Sequence, residues 1–304
     1  MLVPFRGLSL PRNRRRHVTT CVAVICDNAR AIALAADRMV GGSVIESPIG
    51  QKIFTLHKNW RVLISGDDAD TAFPVIERAT NVLRRSRLPS TADVATVLSN
   101  AYKQERLDEA VTRYITPRGL TLRQFIDQGK RLLNKVDFQF FGDQLYKFDF
   151  EIDLLVAGFD QHQKARLFSL SSRGITRRRE GFFAVGSGAD VADFIMNVRQ
   201  VTPKLSVREG VYYALEAKYY GELAPGVSEA TDLYLFRFGK SDIEISEDTI
   251  DDILVNKIAT KVEPQDLRPT HINLLNSLKE LKGFPPITNP QKKKSSQTSK
   301  AKKA

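Results

Sequence analysis

Three side chains near the start of the chain have the types and the order that amide cleavage needs: Thr19, Asp37 and Lys52. A threonine hydroxyl is a poor nucleophile at neutral pH and needs a base within hydrogen-bond reach. An α-amine, with a pKa of about 7.7–8.0, suits that role near pH 7. With Thr19 as first residue, its own amine could take the proton while its hydroxyl attacked. An ammonium at Lys52 would favour the neutral amine by charge repulsion, and Asp37 would hold that lysine charged and oriented. Each residue also has a plainer reading. A strand-opening Thr is a good β-former, Asp37 ends an apolar run, and Lys52 could be a solvated loop cation. Their order, at spacings of eighteen and fifteen residues, favours the chemical reading.

Positioning these groups takes two strands and a returning loop. Thr20–Cys26 is β-branched and small, and Ala29–Ala36 is continuously apolar, as in buried hairpin strands. Pro48-Ile49-Gly50 turns the chain into Lys52-Ile53, and two strands follow at 52–56 and 60–64. Ser65-Gly66-Asp67 ends the second and leads into helices, the next of them capped by Ser90 or Thr91. Residues 108–148 are less regular, with a helix expected around Leu120–Leu133 and an aromatic run from Asp137 to Phe148. Four Phe in that run (Phe138, Phe140, Phe141, Phe148) are expected to pack on the body, the alternative being a lid over the cleft or a subunit contact. Strand character returns at 150–159, 165–170, 174–176 and 182–185, which reads as one meander. Gly186-Ser187-Gly188 opens another helix, and Ser206-Val207-Arg208-Glu209 is a capping box for the next. Thr231–Phe238 is the last strong strand, followed by amphipathic stretches at 250–258 and 273–282.

The set resembles the β-type subunits of the proteasome and their bacterial relatives, within the N-terminal-nucleophile (Ntn) hydrolases. In that family a doubled Thr opens the first strand, Ala-Ala-Asp closes the second and Lys-Ile opens the third. Here these are Thr19-Thr20, Ala35-Ala36-Asp37 and Lys52-Ile53. The resemblance implies an α+β, four-layer αββα sandwich over residues 19–245, with 108–148 as an insertion; the residues beyond it read as C-terminal helices at 246–284, without a counterpart in the family core, and a Lys-rich disordered tail at 285–304. It implies Thr19 as nucleophile with Asp37 and Lys52, Gly66 as oxyanion donor, and Ser187 of Val185-Gly186-Ser187-Gly188 beside the nucleophile. It also implies a homo-oligomeric ring or stack. The family's later Asp-x-x-Ser is half present: Pro225-Gly226-Val227-Ser228 offers Ser228, with Glu222 the nearby acid. Two departures stand out. The family places Gly before the catalytic Thr and has two fewer residues between Thr and Asp. A gapless alignment from Asp37 puts Cys21 at the nucleophile position; two extra residues in the Asp27–Arg30 turn keep Thr19 there. Turns absorb insertions more easily than strand starts do.

Function classes follow from these points. A threonine-type peptidase or amidohydrolase is the first expectation. The alternatives are a Cys21-dependent Ntn amidohydrolase and a non-catalytic structural subunit, for which a buried Lys52 would have no use. The net charge of +11 invites a nucleic-acid reading, yet it belongs to the ends: five Arg in 1–18 and six Lys in 285–304, with no acid in either. The body, 19–284, is left with 35 basic and 35 acidic residues, so nucleic acid is not an expected partner. No run of about 18 apolar residues suggests a membrane span. Cys21 and Cys26, roughly 16 Å apart on opposite strand faces, cannot pair, which fits a reducing cytoplasm. The four His are scattered singly, so no metal or other cofactor is expected. Residues 1–18 read as a disordered leader or a misassigned start, with Val18 as a GTG initiator or autolysis at Val18–Thr19 as routes to a free Thr19.

Overall fold

The computed structural model describes residues 19–38, 40–41, 46–47, 51–66, 69–222 and 230–254. The chain divides into two compact units, Met1–Glu247 and Asp248–Ala304. The first holds two five-stranded antiparallel sheets. One has the order β10 (Phe182–Gly186), β1 (Thr20–Cys26), β2 (Ala31–Asp37), β11 (Thr231–Arg237), β12 (Ile243–Glu244). The other runs in chain order: β5 (Ile53–His57), β6 (Trp60–Gly66), β7 (Ile152–Phe159), β8 (Ala165–Ser171), β9 (Ile175–Arg179). Two short strands, β3 (Val40–Gly41) and β4 (Glu46–Ser47), pair separately.

Period-two patterning explains how the sheets pack. In β1 and β2 every residue is buried, so both faces are covered. Cys21, Ala23, Ile25, Ile32, Leu34 and Ala36 share one core with Leu63, Leu155, Ala157 and Leu167 of the second sheet. The alternate residues of the second sheet (Val62, Ile64, Leu154, Val156, Phe168) form another core with helices α1 (Ala72–Leu83) and α2 (Thr91–Tyr114). Across the first sheet, α6 (Val207–Gly221) lies on β1 and β2, and α5 (Ala189–Val198) lies on β10. This mixed α and β arrangement is compatible with a proteasome-like sandwich. Each fully buried Leu, Ile or Val in such a core is worth about 1.5–3 kcal/mol relative to exposure.

Local signals placed the helix starts well. Ser90 caps α2 and Ser206 caps α6, each in a reciprocal capping box with Asp93 and Glu209. The aromatic run is helical: α3 (Leu122–Leu132) and α4 (Lys135–Lys147) follow α2, and Asn134 caps α4. Phe125 and Phe141 are buried with Ile115, and Phe138 stacks on Phe125. Phe148 packs edge-on to Tyr114 and Phe150, whereas Phe140 is exposed. The expected single meander is corrected at β10. That strand leaves the β5–β9 sheet and pairs with β1, Thr20 opposite Gly186. A helix α7 (Glu247–Ile253) begins earlier than the stretch expected at 250–258. Ser228, the stretch at 273–282, the Lys-rich tail and residues 1–18 lie outside the described residues. Among the described residues no helix is long and apolar enough to cross a membrane.

Candidate active site

The hairpin register brings the end of β2 beside the start of β1. Cys21 lies opposite Ala36, so Asp37 comes level with Thr20, and the Thr20 amide donates to Asp37 Oδ1 at 2.8 Å. The turn that sets this register, Asp27-Asn28-Ala29, has three consecutive residues with positive φ. It lies where the sequence reading puts two extra residues. Lys52, just before β5, reaches from the other sheet. Its Nζ donates to Asp37 Oδ2 at 2.9 Å and to Thr19 Oγ1 at 2.7 Å. Thr19 and Asp37 are buried, and the Lys52 side chain is 3% exposed. A buried ammonium bonded to a hydroxyl oxygen stabilises negative charge developing there as the hydroxyl attacks.

β10 supplies the opposite wall. The Thr19 amide donates to Ser187 Oγ at 3.2 Å, and Ser187 Oγ lies 3.3 Å from the Thr19 carbonyl oxygen, to which it can donate. Ser187 does not cap α5; Gly188 holds that position. Gly186 has φ +106°, and a Cβ there would stand 2.1 Å from the Thr19 carbonyl oxygen and 2.9 Å from Ser65 Oγ. Thus Thr19, Ser65 and Ser187 converge on one glycine. Gly66 ends β6, half-buried, next to Ser65 and opposite Ile152. The residues that follow it, 67 and 68, are outside the described ones.

Cys21 sits differently. Its side chain points into the core between the sheets, is fully buried, and lies 3.4 Å from the Ile64 carbonyl oxygen. Burial pushes its thiol well above the ordinary cysteine value, with Lys52 opposing that shift. Cys26 is also buried and raised to about 12, chiefly by burial. Both are free thiols. The thiolate is the reactive form, so neither cysteine of the folded protein should react with iodoacetamide at pH 8, while both should react in denaturant. Mass spectrometry checks this, and rapid native labelling of Cys21 would contradict it.

One neighbour was not anticipated from sequence. Lys218 on α6 is fully buried, pairs with Glu222 one turn on, and lies 3.4 Å from the Ala230 carbonyl oxygen. Burial pulls its ammonium below the ordinary lysine value, and Glu222 opposes that shift. The signal was present: Lys218 falls on the stripe Val207, Gly210/Val211, Ala214, Gly221 that faces β1 and β2. Among the described residues no cluster of His, Cys, Asp and Glu could hold a metal.

The family model "Proteasome subunit" matches residues 131–219. This supports a proteasome-like Ntn-hydrolase fold for the chain. The match runs from the end of α3 into α6, so it holds Ser187 and Lys218 and does not reach Thr19, Asp37 or Lys52. A search of curated proteins gave no match. The matched stretch thus supplies β10, the strand beside β1, and α6, whose Gly221 packs on Thr20.

Proposed function

We propose that the chain is a threonine-type peptidase or amidohydrolase of proteasome-like Ntn fold, with its four layers in the order α1 and α2, β5–β9, the β1 sheet, α5 and α6. The observation that carries this is the buried Lys52 Nζ, 2.7 Å from Thr19 Oγ1 and 2.9 Å from Asp37 Oδ2. In the reacting protein Thr19 is the first residue. Its Oγ1 attacks the carbonyl carbon of a peptide or related amide as its own α-amine takes the hydroxyl proton. The tetrahedral intermediate collapses, the amine proton passes to the leaving nitrogen, and an ester on Thr19 remains. Water, deprotonated by the same amine, hydrolyses that ester and restores the hydroxyl. Lys52 keeps the amine neutral and stabilises the attacking oxygen, Asp37 holds Lys52, and Ser187 orients Thr19. Gly66 and Ser228 keep the roles that the resemblance implies. Homo-oligomeric assembly and a cytoplasmic location complete this reading. A non-catalytic subunit would have no need of a buried Lys52 against a hydroxyl.

The test is chemical. A peptide β-lactone, which acylates a nucleophilic hydroxyl, should add its mass to Thr19 of the protein, and N-terminal sequencing of the same sample should begin at Thr19. Hydrolysis of fluorogenic peptide amides should disappear in Thr19→Ala and fall as pH drops through the amine's pKa. Hydrolysis that survives Thr19→Ala, or a label on another residue, would overturn the reading.

A further inference from the structure

Two buried lysines, not one, stand close to the start of β1. Lys218 reaches its place through α6, whose last turn packs against the Thr19-Thr20 segment. A Cβ on Gly221 would stand 2.7 Å from Thr20 Cγ2, and one on Gly188 would stand 2.4 Å from the Gly221 carbonyl oxygen. The Ala230 carbonyl, 3.4 Å from Lys218 Nζ, also accepts the Arg38 backbone N–H at 3.1 Å. Arg38 follows Asp37, and Asp37 lies opposite Thr231. Lys218 Nζ therefore shares its carbonyl partner with the amide of the residue next to Asp37.

We propose that Lys218 is a positioning residue for the Thr19 amine: a second fixed cation whose strength Glu222 sets, so that the pair tunes the pH at which the amine becomes a base. This rests on the reading of Thr19 as the nucleophile. A buried charge costs several kcal/mol unless it is paired. A Lys218–Glu222 pair kept only for packing could be replaced as a whole by apolar side chains of similar size with little loss. With the Glu222 side chain 12% exposed and Lys218 fully buried, the carboxylate is the better screened of the two, so the cation acts more strongly on a buried neighbour.

The other charges around the amine are few and placed. Lys52 and Asp37 are paired at Thr19 itself. Asp232 of β11 pairs with Arg38 at 2.6 Å. Asp153 of β7 lies opposite Ser65, and α5 carries Asp190 in its first turn and Asp193, which accepts from the Ala184 amide at 3.1 Å. Cys21 is buried as a thiol. Asp37 and Lys52 are close enough to act on Lys218 directly, Asp37 favouring its charge and Lys52 opposing it.

The experiment titrates the Thr19 amine in the chain that begins at Thr19, which keeps every site contact described above. Competitive acetylation with acetic anhydride, read by mass spectrometry against pH, gives the amine pKa without relying on catalysis. Parallel pH profiles of kcat/KM use the fluorogenic peptide amides. Lys218→Met should raise the amine pKa by roughly one unit, the usual size of a protein-induced shift. It should move the acid limb of the profile up equally, about a tenfold loss below the limb that is recovered at high pH. Glu222→Gln removes the partner that keeps the fully buried Lys218 charged, and an unpaired buried ammonium gives up its proton, so this variant should move both in the same direction. That second variant decides the matter if Lys218→Met does not fold. A packing role alone would lower the rate at every pH and leave the limb in place. An amine pKa that stays put in Glu222→Gln and in any folded Lys218→Met overturns the proposal. If the unsubstituted chain hydrolyses no amide, the peptidase reading falls, and the acetylation titration still decides whether Lys218 sets the amine.

Discussion

Lys52→Met is expected to abolish most hydrolysis, a loss on the order of 10²–10⁴-fold, the range of a lost acid–base contribution. Lys52 Nζ bonds both Thr19 Oγ1 and Asp37 Oδ2. Without it the amine is protonated at higher pH and the attacking oxygen loses its donor, two effects that multiply. The same change exposes a second quantity. Asp37 would stay fully buried with its Thr20 amide bond and without its Lys52 ion pair, and breaking a buried ion pair costs about 3–5 kcal/mol. Pairing the substitution with Asp37→Asn separates the two. The amide oxygen still accepts from Thr20 and no charge is stranded, so thermal stability should largely return while hydrolysis does not. Turnover within about threefold of the unsubstituted protein in either variant would remove Lys52 from the chemistry, since general acid–base groups contribute far more than that.

Much of this site was legible because its parts lie on elements with strong local signals. The apolar runs at Thr20–Cys26 and Ala31–Ala36 leave little choice but two buried strands, and a hairpin between them sets Asp37 beside Thr20. Ser206 and Glu209 announce α6 by chemistry confined to four residues. What stayed hidden depends on partners far along the chain. The β10 segment has ordinary strand composition, and nothing within it says that it crosses to β1; only the pairing of Thr20 with Gly186 does. Lys218 was missed for another reason. A lysine in a helix reads as solvated, and its burial is evident only once the stripe from Val207 to Gly221 is laid against β1 and β2. The aromatic run 137–148 does carry a stripe, Phe138, Phe141 and Leu145 at i, i+3 and i+7, which the exposed Phe140 next to Phe141 obscures in the sequence.

Gly186→Ala should damage the fold and the site together. At φ +106° an L side chain is strained before any neighbour is considered. The new Cβ would also stand 2.1 Å from the Thr19 carbonyl oxygen and 2.7 Å from its carbon, backbone atoms with no rotamer to yield. The start of β1 has to shift away from β10. Overpacking of this kind costs about 1–3 kcal/mol, and the backbone strain adds about 1–3 more. For a folded unit of this size each kcal/mol lowers Tm by roughly 2–4 °C. Thr19 is the residue displaced, and a misplacement of about 1 Å can cost on the order of 10²-fold in rate. Gly119 is the internal control: its φ is +70°, and a Cβ there meets nothing within 4 Å. Gly119→Ala should therefore show the backbone strain alone, a small drop in Tm with the rate intact. Calorimetry and peptide hydrolysis on the two variants separate the terms. Equal effects at the two glycines would mean that the close approach of Gly186 to Thr19 does not hold the nucleophile in place.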